Sequence, residues 1–203
     1  MDKLVITGFA DEIAADFDVQ LEALNDFGVS FLELRAADGV NISDFTDNKV
    51  REVKGKLNAA GVQVSSIGSP IGKIGIEDDF HAHMEKLKRT LQIQKELGAD
   101  YLRMFSFYIP DCKDPKEYSG EVLDRLYAMK EEAARWDAIL LHENEKGIYG
   151  DNAARCTEIM QKLYGKHFKA VFDFANFVEV GQDTFEAYEQ LKPYIEYIHI
   201  KDA

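Results

Sequence analysis

The chain has 203 residues and a mass of 23.0 kDa, with 46% hydrophobic and 30% charged residues. That length favours one domain over residues 1–203, and that balance excludes a disordered chain or a fibre. A net charge of −13 repels phosphate backbones and anionic lipid, so neither nucleic acid nor membrane is an expected partner.

The first apolar run, Leu4–Ala10, meets Asp11 and Glu12 at once. That pattern fits a first strand in a cytoplasmic protein, not a signal peptide or membrane anchor. In chain order the expected strands are Leu4–Gly8, Phe31–Arg35, Val62–Ile67, Tyr101–Phe105, Ala138–Glu143, Lys169–Asp173 and Tyr194–Ile200. Helical spacing separates them: Phe17, Leu21 and Leu24, then Met84, Leu87 and Leu91, then Val122, Leu126, Met129, Ala133 and Trp136. Gly28, Gly61 and Gly98 close helical stretches, where a left-handed cap suits glycine.

Such alternation predicts a parallel α/β sheet. No Gly-rich phosphate fingerprint follows the first strand, which continues as Phe9-Ala10-Asp11-Glu12, so a dinucleotide fold is disfavoured. The expected fold is a (β/α)8 TIM barrel with seven βα units in view. Its eighth unit is expected beyond Ala203, making the domain C-terminally incomplete. Cys112 and Cys156 form no disulfide or zinc-site spacing and are expected to be reduced, buried or half-buried thiols.

In a parallel barrel, reactive groups sit at the C-terminal ends of strands. Glu143, Asp173 and His199 each close an apolar run there, and strand alternation turns all three inward together. Two carboxylates and an imidazole suit one divalent ion, Mn2+, Co2+, Zn2+ or Mg2+. Lys201 shares the inward phase of His199 and either holds a substrate oxygen or pairs with a neighbouring acid. Glu33 and Arg103 are candidate ligands for substrate hydroxyls, with a buried Arg–Glu pair as the alternative. His142 is expected to face the helices, Arg35 to be a solvated loop residue, and His81 and His83 to be solvated. The glycine-rich stretch from Ile67 to Gly75 lacks P-loop spacing and reads as a loop over the substrate. Tyr108, Tyr149 and Phe177 follow strand ends, positioned to stack on a sugar ring or to cover the barrel mouth.

Three strand-end motifs resemble those of the sugar phosphate isomerase/epimerase superfamily, whose members have the xylose isomerase-like TIM barrel. They are His142-Glu143-Asn144-Glu145-Lys146-Gly147, Phe172-Asp173-Phe174-Ala175-Asn176-Phe177 and His199-Ile200-Lys201-Asp202. The stretches Gly8-Phe9-Ala10-Asp11-Glu12, Ile67-Gly68-Ser69-Pro70-Ile71-Gly72-Lys73 and Phe105-Ser106-Phe107-Tyr108-Ile109-Pro110 resemble one bacterial branch of it. The resemblance implies one divalent metal held by Glu143, Asp173 and His199, with a fourth ligand position beyond Ala203. It further implies Glu143 as an acid/base on the substrate. Many related epimerases carry a histidine where this chain has Asn176, so Asn176 is expected to handle substrate differently.

The expected function is therefore a metal-dependent isomerase or epimerase of a sugar or sugar phosphate. It would abstract a proton beside a carbonyl through a metal-stabilised enediolate. A lyase or dehydratase acting on a keto-sugar or cyclitol is the alternative, because it begins with the same step. A phosphodiesterase resembling the apurinic endonucleases would need more inward histidines and a basic face; of five histidines, His199 alone closes a strand in inward phase. A non-catalytic sugar-binding barrel is the remaining reading. The expected partner is a small sugar, with assembly into a homo-oligomer left open.

Overall fold

The computed structural model describes residues 4–202 and shows a mixed α/β structure with a six-stranded sheet. It divides into two compact units. The first comprises residues through Ser69 together with Lys88–Leu102; the second comprises Pro70–Leu87 and everything from Arg103 onward.

The first unit carries α1 (Phe17–Asp26), β1 (Phe31–Leu34), the hairpin β2 (Ala36–Ala37) and β3 (Val40–Asn41), α2 (Asp47–Ala60) and β4 (Gln63–Gly68). It shares α3 (Phe80–Leu97) and β5 (Tyr101–Met104) with the second unit. Strand β1 pairs in parallel with β4, which neighbours β5. Asp16 caps α1 by accepting the N–H groups of Asp18 and Val19, and Thr46 caps α2 through Lys49 N–H. Such caps are worth about 1 kcal/mol each. Helix α1 buries Phe17, Leu21 and Leu24, the stripe its spacing predicts. Gly28, Gly61 and Gly98 take the left-handed conformation expected of them, at φ of 67°, 69° and 77°.

Two expectations fail in this unit. Leu4–Gly8 is not a strand: Leu4, Val5 and Ile6 are 86%, 55% and 68% exposed, and pairing is confined to Gly8 beside Leu32. An apolar run becomes a strand only where a neighbouring backbone accepts its ladder, and here Glu33 N–H donates to Gly8 alone. Arg35 is not simply solvated. Its guanidinium bonds Asp11 and Glu12 and lies over the Phe9 ring.

The second unit continues with α4 (Ser119–Arg135), β6 (Ile139–Glu143), α5 (Ala153–Leu163), β7 (Phe168–Asp173), α6 (Phe174–Glu179), α7 (Thr184–Leu191) and β8 (Ile195–His199). Strands β5, β6, β7 and β8 follow one another in space, and β7 pairs in parallel with both β6 and β8. Helix α4 buries Val122, Leu126, Met129 and Ala133 along its predicted face. Trp136, beyond its end, is half-buried and donates its indole N–H to Glu132.

One irregularity between β7 and β8 matters for the site. Ala170 lies opposite Ile195, but Val171 lies opposite Tyr197, so β8 slips forward by one residue there. That slip brings His199 opposite Asp173; an unbroken ladder would have brought Ile198.

The loop after β4 runs along residues 105–108. Phe105, Phe107 and Tyr108 donate their N–H groups to the carbonyls of Ile71, Gly72 and Ile74, and Ile76 N–H donates back to Tyr108. Gly72 sits at φ 89°, and a Cβ there would come within 2.0 Å of the Phe105 carbonyl oxygen. Gly72→Ala is therefore expected to cost at least about 1–2 kcal/mol from backbone conformation alone, read as a lower midpoint in urea unfolding. Gly72 N–H also donates to His83 Nε2 at 2.8 Å. Contrary to expectation, His83 is buried rather than solvated, because α3 turns it into this loop; His81, two residues earlier, is exposed. Burial lowers the His83 pKa to about 4, helped by the charges of Lys86 and Arg125, so it stays a neutral acceptor at pH 7.

Cys156 is buried with its thiol toward the Gly150 carbonyl, and burial pushes its pKa far up, which makes it inert. Cys112 is exposed, not half-buried, since it occupies a left-handed turn position at φ 66° with no core against it. No described helix is long and apolar enough to cross a membrane.

Candidate metal centre

Four consecutive strands of the second unit deliver the site. Arg103 comes from β5, while Glu143, Asp173 and His199 are the last residues of β6, β7 and β8. Buried neighbours such as Leu141, Val171 and Phe172 hold the ends of β6 and β7, whereas β8 is half-exposed up to His199, with Ile198 46% exposed. One ligand atom from each of Glu143, Asp173 and His199 lies within 4.8 Å of the other two. All three residues are buried, at 2%, 1% and 8% exposure.

Individual distances define how the groups meet. His199 Nδ1 is 2.8 Å from Glu143 Oε1 and 3.9 Å from Asp173 Oδ2. Arg103 Nη1 donates to Glu143 Oε2 at 3.1 Å, and its guanidinium lies 5.1 Å from the centre of the Phe105 ring. Lys201 Nζ is 3.2 Å from Asp173 Oδ2 and donates to Asn176 Oδ1 at 2.8 Å. Tyr197, sharing the phase of His199, packs edge-on to its imidazole at 5.7 Å between ring centres.

The two carboxyls are driven apart in proton affinity. Burial alone would raise Glu143, but the positive charge of Arg103 and the hydrogen bond with His199 outweigh it and hold the carboxyl at about 2. Asp173 is raised from its ordinary value, first by burial and then by the negative charge of Glu143, against the opposing pull of Asn176 N–H and Lys201. Opposite shifts of neighbouring acids are a signature of functional sites as well as of structural ion pairs.

The donor set fits a divalent ion. Two ligands bonded to one ion at about 2.0–2.2 Å stand about 3 Å apart, and the 2.8 and 3.9 Å separations bracket that spacing. Two carboxylate oxygens and one imidazole nitrogen suit Mg2+, Mn2+, Zn2+ or Co2+.

Other residues singled out by the sequence fall differently. Asn176 has both carboxamide atoms engaged, donating to the Asn144 carbonyl and accepting from Lys201. Lys201 makes the acidic pair foreseen as its alternative role and remains 46% exposed. Arg103 forms a buried ion pair with Glu143, a different glutamate from the Glu33 with which the sequence paired it. Glu33 is buried on β1 in the first unit, next to Ser66 in register. His142 points away from the cluster as expected, stacked on Phe168 at an angle of 20°. Of the three aromatics, Tyr108 is exposed at 40%, while Tyr149 and Phe177 are packed inside and unable to meet a sugar ring.

Two features escaped the sequence. Asn144, directly after Glu143, bonds the backbone of Asp173 twice; its only signal was a polar amide closing an apolar strand. Lys73, from the loop after β4, bonds Glu145 at 2.8 Å and covers the Phe105 ring at 4.3 Å. No spacing rule pairs residues that far apart in the chain.

A family model described as the xylose isomerase-like TIM barrel matches residues 21–203. The chain belongs to that family. Among curated proteins, a 3-dehydroshikimate dehydratase of Bacillus anthracis is 21% identical to this barrel chain over 129 residues, 64% of this chain and 46% of that protein. The match thus spans less than half of the relative's length. Solved barrels of the same kind cover nearly all of the chain. A probable 3-DHS dehydratase of Bacillus anthracis superposes with a TM-score of 0.79 at 18% identity, covering 98% of this chain and 73% of its own. The E. coli 3-keto-D-glucoside 4-epimerase gives 0.72 at 16%, covering 98% and 78%. A zinc-bound IOLI protein gives 0.79 at 15%, covering 98% and 73%. At such identities the likeness is one of fold.

Proposed function

We propose that this xylose isomerase-like barrel is a metal-dependent isomerase or epimerase of a small sugar or sugar phosphate, acting by proton transfer beside a carbonyl. The observation that carries the reading is the buried convergence of Glu143, Asp173 and His199 within 4.8 Å. Those three residues would hold the ion. When bound, a divalent ion supplies Lewis-acid stabilisation of the negative charge that develops on substrate oxygen as the proton leaves.

The chain's own groups account for the rest. Glu143 is ionised at neutral pH and has oxygen lone pairs to accept a proton. Held at about 2 by Arg103 and His199, it is a weak base in the resting site. Any substrate oxygen that draws the Arg103 guanidinium away raises its proton affinity toward the useful range. Lys201, half-exposed beside Asp173, is placed to meet a substrate oxygen from the solvent side. Returning the proton to the opposite face epimerises the carbon; returning it to the neighbouring carbon exchanges aldose and ketose.

A second reading is favoured by the dehydratase relative and the probable dehydratase structure. There the same abstraction is followed by departure of a β-hydroxyl as water. Deuterium exchange separates the two. The Mn2+-loaded protein is incubated in D2O with a panel of ketoses and with 3-dehydroshikimate. Solvent deuterium beside the carbonyl with an unchanged formula is the expected result. Loss of water from the substrate selects the dehydratase, and neither event in any compound contradicts proton transfer.

A further inference from the structure

The carboxamide of Asn144 takes the place of a backbone strand pair just beyond the end of β6. Its Nδ2 donates to the Asp173 carbonyl and its Oδ1 accepts Asp173 N–H, each at 2.9 Å. Asparagine is suited to this, because its amide offers one donor and one acceptor side by side, as a peptide group does. The carbonyl of Asn144 in turn accepts Asn176 Nδ2 at 2.8 Å. Both asparagines are buried, at 2% and 1% exposure.

Asn176 acts on the same aspartate from the other side. Its backbone N–H donates to Asp173 Oδ1 at 2.9 Å, which makes Asp173 the N-cap of α6. One carboxylate oxygen is thereby committed to the helix. The other, Oδ2, faces His199 Nδ1 at 3.9 Å and Lys201 Nζ at 3.2 Å. Both backbone polar groups of Asp173 and one of its oxygens are therefore fixed by two asparagines, and Oδ2 is turned to the cluster.

We propose that Asn144 and Asn176 are positioning residues of the metal centre, which lock Asp173 so that it offers a divalent ion one oxygen, Oδ2. The proposal rests on the metal reading of Glu143, Asp173 and His199. Asn144 supports the ligand strand, while the backbone N–H of Asn176 selects the oxygen and its carboxamide holds Asn144 in place. Neither contacts the ion. Groups that orient a ligand in this way typically contribute about 10–100-fold to metal affinity.

The test is calorimetric titration of the full chain with Mn2+ alone, in parallel with thermal unfolding of the metal-free protein. Asn144→Ala is expected to raise the Mn2+ Kd by about 10–100-fold. Asn176→Ala keeps the backbone N–H on Asp173 Oδ1 but releases the Asn144 carbonyl, and is expected to raise the Kd by about tenfold. Asn152→Ala is the control. It removes the cap of α5, where Asn152 Oδ1 accepts Arg155 N–H at 3.0 Å, and touches no member of the cluster. It is expected to lower the metal-free melting temperature while leaving the Kd of the wild type, which a purely structural role for Asn144 would also do. A Kd in both Asn144→Ala and Asn176→Ala equal to that of a metal-binding wild type overturns the positioning role alone. Absence of Mn2+ binding by the wild type overturns the metal reading and the proposal with it. Should circular dichroism show Asn144→Ala unfolded, the Kd of Asn176→Ala decides.

Discussion

Glu143→Gln is expected to lower turnover by about 10²–10⁴-fold, the usual contribution of a general base, while the protein still folds. Glutamine keeps the shape of the side chain and an oxygen toward Arg103, so the 3.1 Å contact survives as a hydrogen bond from the charged guanidinium to a neutral amide oxygen. What disappears is the negative charge. Without it the site loses a ligand charge for a divalent ion, and no ionised carboxyl remains at that position to take a proton. Rate measurements on the substrate identified by deuterium exchange, with circular dichroism as a control for folding, check this. A variant that retains wild-type turnover would remove Glu143 from the chemistry.

Arg103→Met is expected to have the largest effect on stability. Arg103 and Glu143 form a pair whose side chains are 10% and 3% exposed, and removing one member of such a pair typically costs about 3–5 kcal/mol. Methionine restores apolar volume against Phe105 but leaves the Glu143 charge buried with less compensation. The pH dependence has a definite sign. Glu143 in the folded protein lies at about 2, below its ordinary 4.5, so the unfolded chain binds its proton more readily. Its contribution to stability is fully present above pH 4.5 and is lost as pH falls through about 2. Arg103→Met removes the main opposing charge and raises the folded value. The gap between variant and wild type is then wide at neutral pH and narrows on acidification. Urea unfolding at pH 7 and at pH 3 measures both; a gap that widens on acidification contradicts the assignment.

Alternation within each strand is enough to place Glu143, Asp173 and His199 in one inward phase, although the run that each closes is buried only on β6 and β7, and on β8 Ile198 is 46% exposed. Lateral register was not legible. Whether Asp173 faces His199 or Ile198 depends on one slipped residue between Ala170 and Val171, and that slip is decided by packing across two strands. The same limit accounts for Leu4–Gly8, whose composition suits a strand but whose backbone pairs only at Gly8. His83 was misplaced for a related reason: near the start of a helix its exposure depends on a loop that folds back over it. Asn144 stood in plain view beside Glu143, yet its bonds go to a residue on the neighbouring strand. Helix faces and the glycine caps at Gly28, Gly61 and Gly98 depend on local geometry alone, and these match the structure closely.

Whether Glu143, Asp173 and His199 hold a divalent ion is tested most directly by the Mn2+-induced shift in melting temperature. At a free Mn2+ concentration of about 100 times Kd, binding to the native state adds about 2.7 kcal/mol, or about 5–10 °C for a chain of this size. The wild type is expected to show that shift and His199→Ala to lose it. An unshifted wild type, or an equal shift in His199→Ala, would contradict the metal reading.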